Sequence, residues 1–302
     1  MLEERLRPML ALPSLPFDSR DHVFELKWDG TRCILYLRGR EIRLRNRRLQ
    51  DITYRYPEFS TLRECIRARS AIIDGEIVVL SEGRPDFLKL QSREHVVDPF
   101  RIEVLAESMS ATFVAFDLLF LNERWLLDHP LLERKAKLSR ILEGHELLLE
   151  SRHVEEKGKS FFEKAVELGF EGIMAKEKES PYLPGKRSKY WLKIKPRSKM
   201  LCYVLGYKRA KGGKDVASLL VGSKEGAGFI FRGSVGSGLR GEHKANILSR
   251  LEELRRQSPV IDSLKRLKGI EWVEPRVLCE VEFFEVTRKG RLRGPVFKGL
   301  FR

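Results

Sequence analysis

Apolar residues come in short blocks through the first two thirds of the chain, some alternating with polar residues and some unbroken. His22–Lys27, Cys33–Arg38 and Ile42–Arg45 are rich in β-branched, aromatic or alternating apolar residues and predict strands. Asp29-Gly30 and Arg38-Gly39 are natural turns between them. Phe59–Arg69 reads as a helix, followed by a buried strand at Ala71–Leu80, and Thr112–Leu121 is a second continuous apolar strand. Helical periodicity returns at Leu132–Leu142 and at Phe161–Leu168, the latter closed by Gly169. Short strands at Ile173–Ala175 and Tyr190–Ile194 flank a loop at Ser180–Lys189. Pro196-Arg197-Ser198 is the expected domain junction. Beyond it, Leu201–Tyr207, Val216–Gly222, Phe229–Gly233 and Val277–Val286 are strand-like, with one charged helix near Gly241–Arg256. About five strands and one helix in about 100 residues suit a small Greek-key barrel of the OB kind. The predicted class is α+β, with domains at 1–197 and 198–302.

A length of 302 residues agrees with two domains, since one core rarely grows so large. With 42% apolar and 33% charged residues the chain has enough to pack cores and a polar surface. No run is long and apolar enough for a membrane span, and charges interleave from Glu3 onward, so neither a membrane segment nor a secretory signal is expected. Cys33, Cys65, Cys202 and Cys279 lie far apart without a CxxC pair, which disfavours structural zinc or a disulfide framework and fits a reducing cytoplasm. Charge sharpens the division: residues 198–302 hold 22 Lys/Arg against 11 Asp/Glu, most of the chain's net +15. A basic C-terminal third points to a polyanion, nucleic acid first.

The candidate chemistry lies mainly in the less basic part. In Lys27-Trp28-Asp29-Gly30-Thr31-Arg32, strand alternation projects Glu25 and Lys27 together, and Arg32 opens the next strand beside them. A lysine near an arginine loses its proton more readily and becomes a nucleophile. Asp74-Gly75-Glu76 interrupts an apolar strand, and a buried carboxylate is costly unless it meets a cation, a metal or a donor. Lys193 and Lys195 share one strand face and repel unless an anion sits between them. Lys27, Arg32, Lys176, Arg187, Lys193 and Lys195 form a cationic set. Glu76 and Glu171 offer hard oxygens for Mg²⁺ or Mn²⁺, and Phe116 offers an aromatic face for a base. This inventory suits a nucleoside triphosphate held by side chains, because the chain has no GxxxxGK[ST] loop.

KWDGTR (27–32), IIDGEIV (72–78), FVAFDLLFL (113–121), EGIMAK (171–176) and WLKIK (191–195) occur in the order of the motifs of covalent nucleotidyltransferases. The sequence resembles, within that superfamily, the ATP-dependent DNA ligases. PDFLKLQSR (85–93), YLPGKRSKYWLKIK (182–195) and RLRGPVFKGL (291–300) look most like the ligase module of prokaryotic non-homologous end-joining ligases. The resemblance implies a nucleotidyltransferase (adenylation) domain of antiparallel sheets and helices followed by an OB-fold β-barrel that binds DNA and reorients between steps. It implies ATP as cofactor, Lys27 as the residue that becomes AMP-lysine, and sealing of nicks or breaks between 3′-hydroxyl and 5′-phosphate ends.

Carried over position by position, it gives Glu25 the adenine amino group and Phe116 the stacking role. Arg32 and Glu76 face the ribose and the metal or nick, Glu171 the metal, and Lys193 and Lys195 the α-phosphate. Leu26, Lys176 and Arg187 complete the nucleotide contacts, and either Arg45 or Arg47 takes the 5′-phosphate. The implied setting is a monomeric, cytoplasmic, nucleoid-associated enzyme acting on broken duplex DNA with Ku and a separate end-joining polymerase and phosphoesterase. The resemblance departs at the C-terminus. Relatives continue past the FKGL-like segment to an Asp-Lys pair that helps expel pyrophosphate, whereas this sequence stops at Arg302. Either the terminus is lost, or Arg293, Lys298 and Arg302 substitute. An RNA ligase or capping-type nucleotidyltransferase shares KxDG and the KxK strand. A non-catalytic OB-type protein accounts for the basic third but not for Glu76, Glu171 and five ordered motifs.

Overall fold

The computed structural model describes residues 5–301 apart from 211, 214, 227, 241 and 288. The chain divides between Lys195 and Pro196 into two compact units, two residues ahead of the boundary expected from sequence. Among the described residues no helix is long and apolar enough to cross a membrane.

The N-terminal unit is built on two sheets. In the first, the strands run in the order Glu41–Asn46, Thr31–Arg38, Ser70–Ser81, Ala111–Leu121 and Arg124–Trp125, with Leu148–Glu150 parallel to Ala111–Leu121. The second runs Leu10–Pro13, Arg187–Ile194, Ile173–Glu177, Ser19–Leu26 and His153–Glu156. Strand periodicity explains why the central strands read as unbroken apolar runs. Cys33, Leu35 and Leu37 point into one core with Ile73 and Ile77, while Ile34 and Tyr36 point into another with Ile72, Phe116, Tyr182 and Trp191. On the far face of the second sheet, Phe24, Ile173, Ala175 and Ile194 pack with Ala165 of the helix Gly158–Glu167. Charged side chains on the central faces therefore sit between two apolar layers.

Several elements differ from the expectation. Phe59–Arg69 is not an α-helix: the chain forms a 3₁₀ stretch at Pro57–Cys65 and then extends at Ile66. The buried residues Phe59, Leu62 and Cys65 recur every third position, a spacing that lines up in a 3₁₀ helix with its three residues per turn. Helices at Phe87–Glu94 and Pro99–Ser108, unmarked by strong periodicity, are started by Asp86 and Asp98, whose side chains accept from the backbone N–H groups of Lys89 and Arg101. The lysine strand begins at Arg187 rather than Tyr190.

In the C-terminal unit, Ser198–Arg209 pairs with Val216–Glu225 on one side and Leu278–Phe283 on the other. Val216–Glu225 pairs onward with Gly228–Val235, and Leu278–Phe283 with Val296–Leu300. A parallel bridge from Ser237 to Val296 links the two ends, and the helix Glu242–Glu252 lies between the third and fourth of these strands in sequence. This is the five-strand order of an OB barrel. The strand expected at Val277–Val286 is broken after Phe283, and Glu285–Val286 pairs instead with Leu292–Arg293 in a separate ribbon. Its core is lined by Val204, Leu219, Val235, Leu251 and Val281, and the four cysteines of the whole chain are buried and free.

Candidate active site

A cavity of about 310 Å³ lies between the inner faces of the two N-terminal sheets. One sheet contributes Arg32, Glu76 and Phe116, the other Glu25, Met174, Lys176, Trp191 and Lys193, with Lys27, Trp28, Arg47, Arg187 and Lys195 around them. The parity of the strands creates this grouping. Arg32 lies opposite Glu76 in the ladder, Met174 is flanked by Glu25 on one side and Lys193 on the other, and Lys176 pairs with Trp191. The EGIMAK strand thus separates the strand leading to Lys27 from the lysine strand.

Lys27 follows the last strand residue, Leu26, and its backbone N–H donates to the Gly172 carbonyl at 2.9 Å. Two glycines permit this turn region. A Cβ on Gly30 would overlap the Ile77 carbonyl oxygen, and Gly172, at φ +138°, would place one on the Ile194 carbonyl. Lys27 Nζ and Lys195 Nζ donate to opposite oxygens of the Glu171 carboxylate, so one anion bridges the two ammonium groups. Burial draws the Lys27 pKa below its ordinary value, against the pull of Glu76 and Asp29.

Asp74 is the cation-seeking carboxylate of the DGE segment. It accepts from Nε and Nη2 of Arg32, each at 2.6 Å, and from the Tyr182 hydroxyl at 2.6 Å. The guanidinium lies 4.6 Å from the centre of the Phe116 ring and 5.5 Å from that of Trp191. Lys176 Nζ takes similar positions, 4.3 and 4.4 Å from the same rings. Glu25 is buried. Its carboxylate meets Lys135 at 2.9 Å on one oxygen and Lys176 at 2.9 Å on the other, which also accepts from Ser151 Oγ at 3.1 Å. Burial alone would raise its pKa, but the two lysines bring it below the ordinary carboxylate value.

Glu76 is the exception among the carboxylates. Burial pushes it up to about 7, with Arg32 and Lys27 only partly offsetting the cost. A raised folded-state pKa favours the protonated form, so this group's contribution to stability is full at low pH and is lost as pH rises toward and through 7. A shift of that size corresponds to roughly 3 kcal/mol. In the ligand-free chain Glu76→Gln is therefore expected to gain about that much stability relative to the parent at pH 8 and little at pH 5. Urea denaturation at the two pH values measures it, and an equal difference at both would contradict the assignment.

Most of the sequence-derived residues thus converge. Arg47 lines the cavity, whereas Arg45 turns to the Leu49 carbonyl and pairs in a bridge with Asp51. Arg187 lines the rim while donating to the Ala11 carbonyl. Leu26 also lines the cavity. Arg293 and Lys298 fall in the C-terminal unit, ion-paired with Glu285 and Glu282, and Arg302 lies outside the described residues. Sequence reasoning missed Tyr182, Lys135 and Ser151. Lys135 carried a signal: with Arg134 it occupies core positions on the stripe of Leu131, Leu138 and Ile141 in the helix Leu131–Ile141, where apolar residues belong.

The lining fits a nucleoside triphosphate, with aromatic rings at one part and an excess of cations to meet phosphates. The indole N–H groups of Trp28 and Trp191 are buried and donate to nothing among the described residues. No group of three or more His, Cys, Asp or Glu side chains among the described residues forms a metal cage. Of the two carboxylates expected to hold a hard cation, Glu76 lines the cavity, while both oxygens of Glu171 accept from lysines beside it.

Residues 8–195 match the family model for the ATP dependent DNA ligase domain, and residues 212–301 that for the ATP dependent DNA ligase C terminal region. The multifunctional non-homologous end joining protein LigD of Mycobacterium bovis is 33% identical over 98% of this chain, which spans 38% of that protein. A DNA ligase of Thermococcus onnurineus is 32% identical over 95% of this chain, which covers 53% of that protein. Among solved structures, the ligase domain of LigD from M. tuberculosis matches with a TM-score of 0.59 at 31% identity, covering 98% of this chain and 95% of that one. A mycobacterial DNA ligase D complexed with ATP matches at a TM-score of 0.56. Matched by family models in both units, the chain belongs to the ATP-dependent DNA ligases.

Proposed function

We propose that the chain seals breaks in duplex DNA through a lysine–AMP intermediate, in the repair of double-strand breaks by end joining. The observation that carries this reading is Lys27 at the mouth of an aromatic and cationic cavity, sharing the Glu171 carboxylate with Lys195. The names of the LigD relatives support the end-joining setting.

In the first step the Lys27 ammonium gives one proton to water, Nζ attacks the α-phosphorus of ATP, and the second N–H proton leaves to water or the departing pyrophosphate as the P–N bond forms. A P–N bond forms and the P–O bond to pyrophosphate breaks. Burial favours the neutral amine, while the ion pair with Glu171 holds the ammonium until nucleotide enters. Glu76 and Glu171 would hold a divalent cation, Mg²⁺ or Mn²⁺, which would supply charge neutralisation at the phosphates. Lys193 and Lys195 face the α-phosphate, Arg32 and Glu76 the ribose, Phe116 the base, and Glu25 the adenine amino group. In the second step a DNA 5′-phosphate oxygen, held by Arg47 at the rim, displaces Lys27 and takes the AMP. In the third the 3′-hydroxyl displaces AMP, closing the phosphodiester. Each step is an in-line displacement, so position and fixed charge do most of the work.

The test is sealing of a 5′-phosphorylated nicked duplex with ATP, run beside GTP and beside a nicked RNA duplex. Sealing confined to RNA, or labelling confined to GTP, would sink the DNA-ligase reading. Lys195→Ala is expected to slow self-adenylylation about 10²–10³-fold, the loss typical of a missing charge stabiliser. A parental rate in that variant would remove Lys195 from the α-phosphate.

A further inference from the structure

The nucleotide reading leaves an unused group directly behind the cavity. Lys135, on the helix Leu131–Ile141, is buried and does not line the cavity, yet its Nζ stands 2.9 Å from Glu25 Oε1. It also donates to the Ser151 carbonyl at 3.0 Å, and the Ser151 hydroxyl donates to the other Glu25 oxygen. The helix is fixed in turn by its neighbour Arg134, which is bidentate to buried Asp117 at 2.8 Å through each contact and donates to the Ser180 carbonyl at 2.9 Å. Glu25 is therefore held from behind by a lysine that is itself locked in place, and from the cavity side by Lys176.

A carboxylate accepts hydrogen bonds and donates none, whereas a protonated carboxyl can do both. Adenine presents an amino donor where guanine presents a carbonyl acceptor. We infer that Lys135 is a positioning residue for base selection: it fixes Glu25 as an acceptor-only group, so that the cavity takes adenine and refuses guanine. This rests on the proposal that the cavity binds a nucleotide with its base against Glu25. Without Lys135, one lysine alone opposes the burial of Glu25. The carboxyl then tilts, or takes a proton and donates to a guanine carbonyl. Removal therefore weakens the adenine nucleotide and favours the guanine one, rather than weakening both alike.

The experiment uses the full chain and its Lys135→Met variant, close in length and uncharged. Calorimetric titration with α,β-methylene-ATP and α,β-methylene-GTP in Mg²⁺ reads binding without transfer, and multiple-turnover nick sealing at varied ATP reads KM and kcat separately. Preference for the adenine analogue is expected to fall by about tenfold or more, as for a charge-assisted hydrogen bond lost at a buried site. The KM for ATP rises by a similar factor while kcat changes less. In the background of Glu25→Gln, adding Lys135→Met leaves selectivity where Glu25→Gln alone put it. An undiminished preference in Lys135→Met, or a further loss of selectivity in the double variant, overturns the inference. If Lys135→Met alone does not fold, Lys135→Gln is titrated in its place, and an undiminished adenine preference there overturns the inference. A parent chain that binds neither analogue and takes no label from ATP overturns the nucleotide reading itself, which is distinct from a variant that keeps the parent's preference.

Discussion

Lys27→Ala is expected to carry no covalent AMP after incubation with α-labelled ATP and a divalent cation, at any time or nucleotide concentration. Removal of a nucleophile differs from removal of a stabilising charge, because no P–N bond can form without the nitrogen. Three other amines line the same cavity, those of Lys176, Lys193 and Lys195, so the outcome is not trivial. Lys176 is buried against Glu25 and two rings, and is engaged rather than exposed to attack a phosphorus. Lys195 shares Glu171 with Lys27 and is the amine best placed to substitute. Label on Lys27→Ala that survives alkali and is released by hot acid, as a lysine phosphoramidate is, and that maps to Lys195 by peptide sequencing, would transfer the nucleophile's role there. The fold should be untouched, because Lys27 contributes one partly exposed ion pair and no core packing. A matched thermal transition separates lost chemistry from lost structure.

The site was legible in sequence where chemistry and strand parity coincide. Alternation placed Glu25 on the cavity face, and a charged DGE within an apolar run marked Asp74 and Glu76 as groups needing partners. The partners were less legible because they come from distant segments. Arg32 meets Asp74 across a ladder, but Tyr182 reaches the same carboxylate from 108 residues away, and no local pattern encodes that contact. The 3₁₀ stretch at Pro57–Cys65 fits an α-helix in sequence equally well, since Phe59, Leu62 and Cys65 satisfy the i, i+3 part of both templates. The helices at Phe87 and Pro99 leave Phe87, Leu88, Phe100 and Val104 exposed, so their apolar residues do not trace a clean buried stripe. Charged residues on an apolar stripe, as at Arg134 and Lys135, were the overlooked signal for a buried polar network.

Asp74→Ala is expected to destabilise the N-terminal unit by about 3–5 kcal/mol, the usual cost of removing one partner from a buried ion pair. Asp74 is wholly buried and takes two charge-assisted hydrogen bonds from Arg32 and one from Tyr182. Its loss leaves a guanidinium between Phe116 and Trp191 with a 3.4 Å contact to the Met9 carbonyl and the neighbouring Glu76, which burial keeps partly protonated, in exchange. Tyr182 keeps one partner, accepting from the Met9 backbone N–H at 2.9 Å, so its hydroxyl is not fully stranded. Chemical denaturation followed by fluorescence reads the change, since Trp28, Trp125 and Trp191 lie in this unit. A loss below about 1 kcal/mol would mean that water or cavity phosphate already compensates Arg32, and would make the pair a surface-like one. Replacing both partners, as Arg32→Met with Asp74→Leu, removes charge and countercharge together. Apolar replacement of a buried pair is often neutral or stabilising, so the double variant should recover most of the stability lost by Asp74→Ala. It should not recover adenylylation, because the cation that the proposed mechanism sets against the nucleotide is gone from the cavity. Stability and activity would then separate within a single pair of residues, which identifies Asp74 as the group that holds Arg32 ready in the cavity.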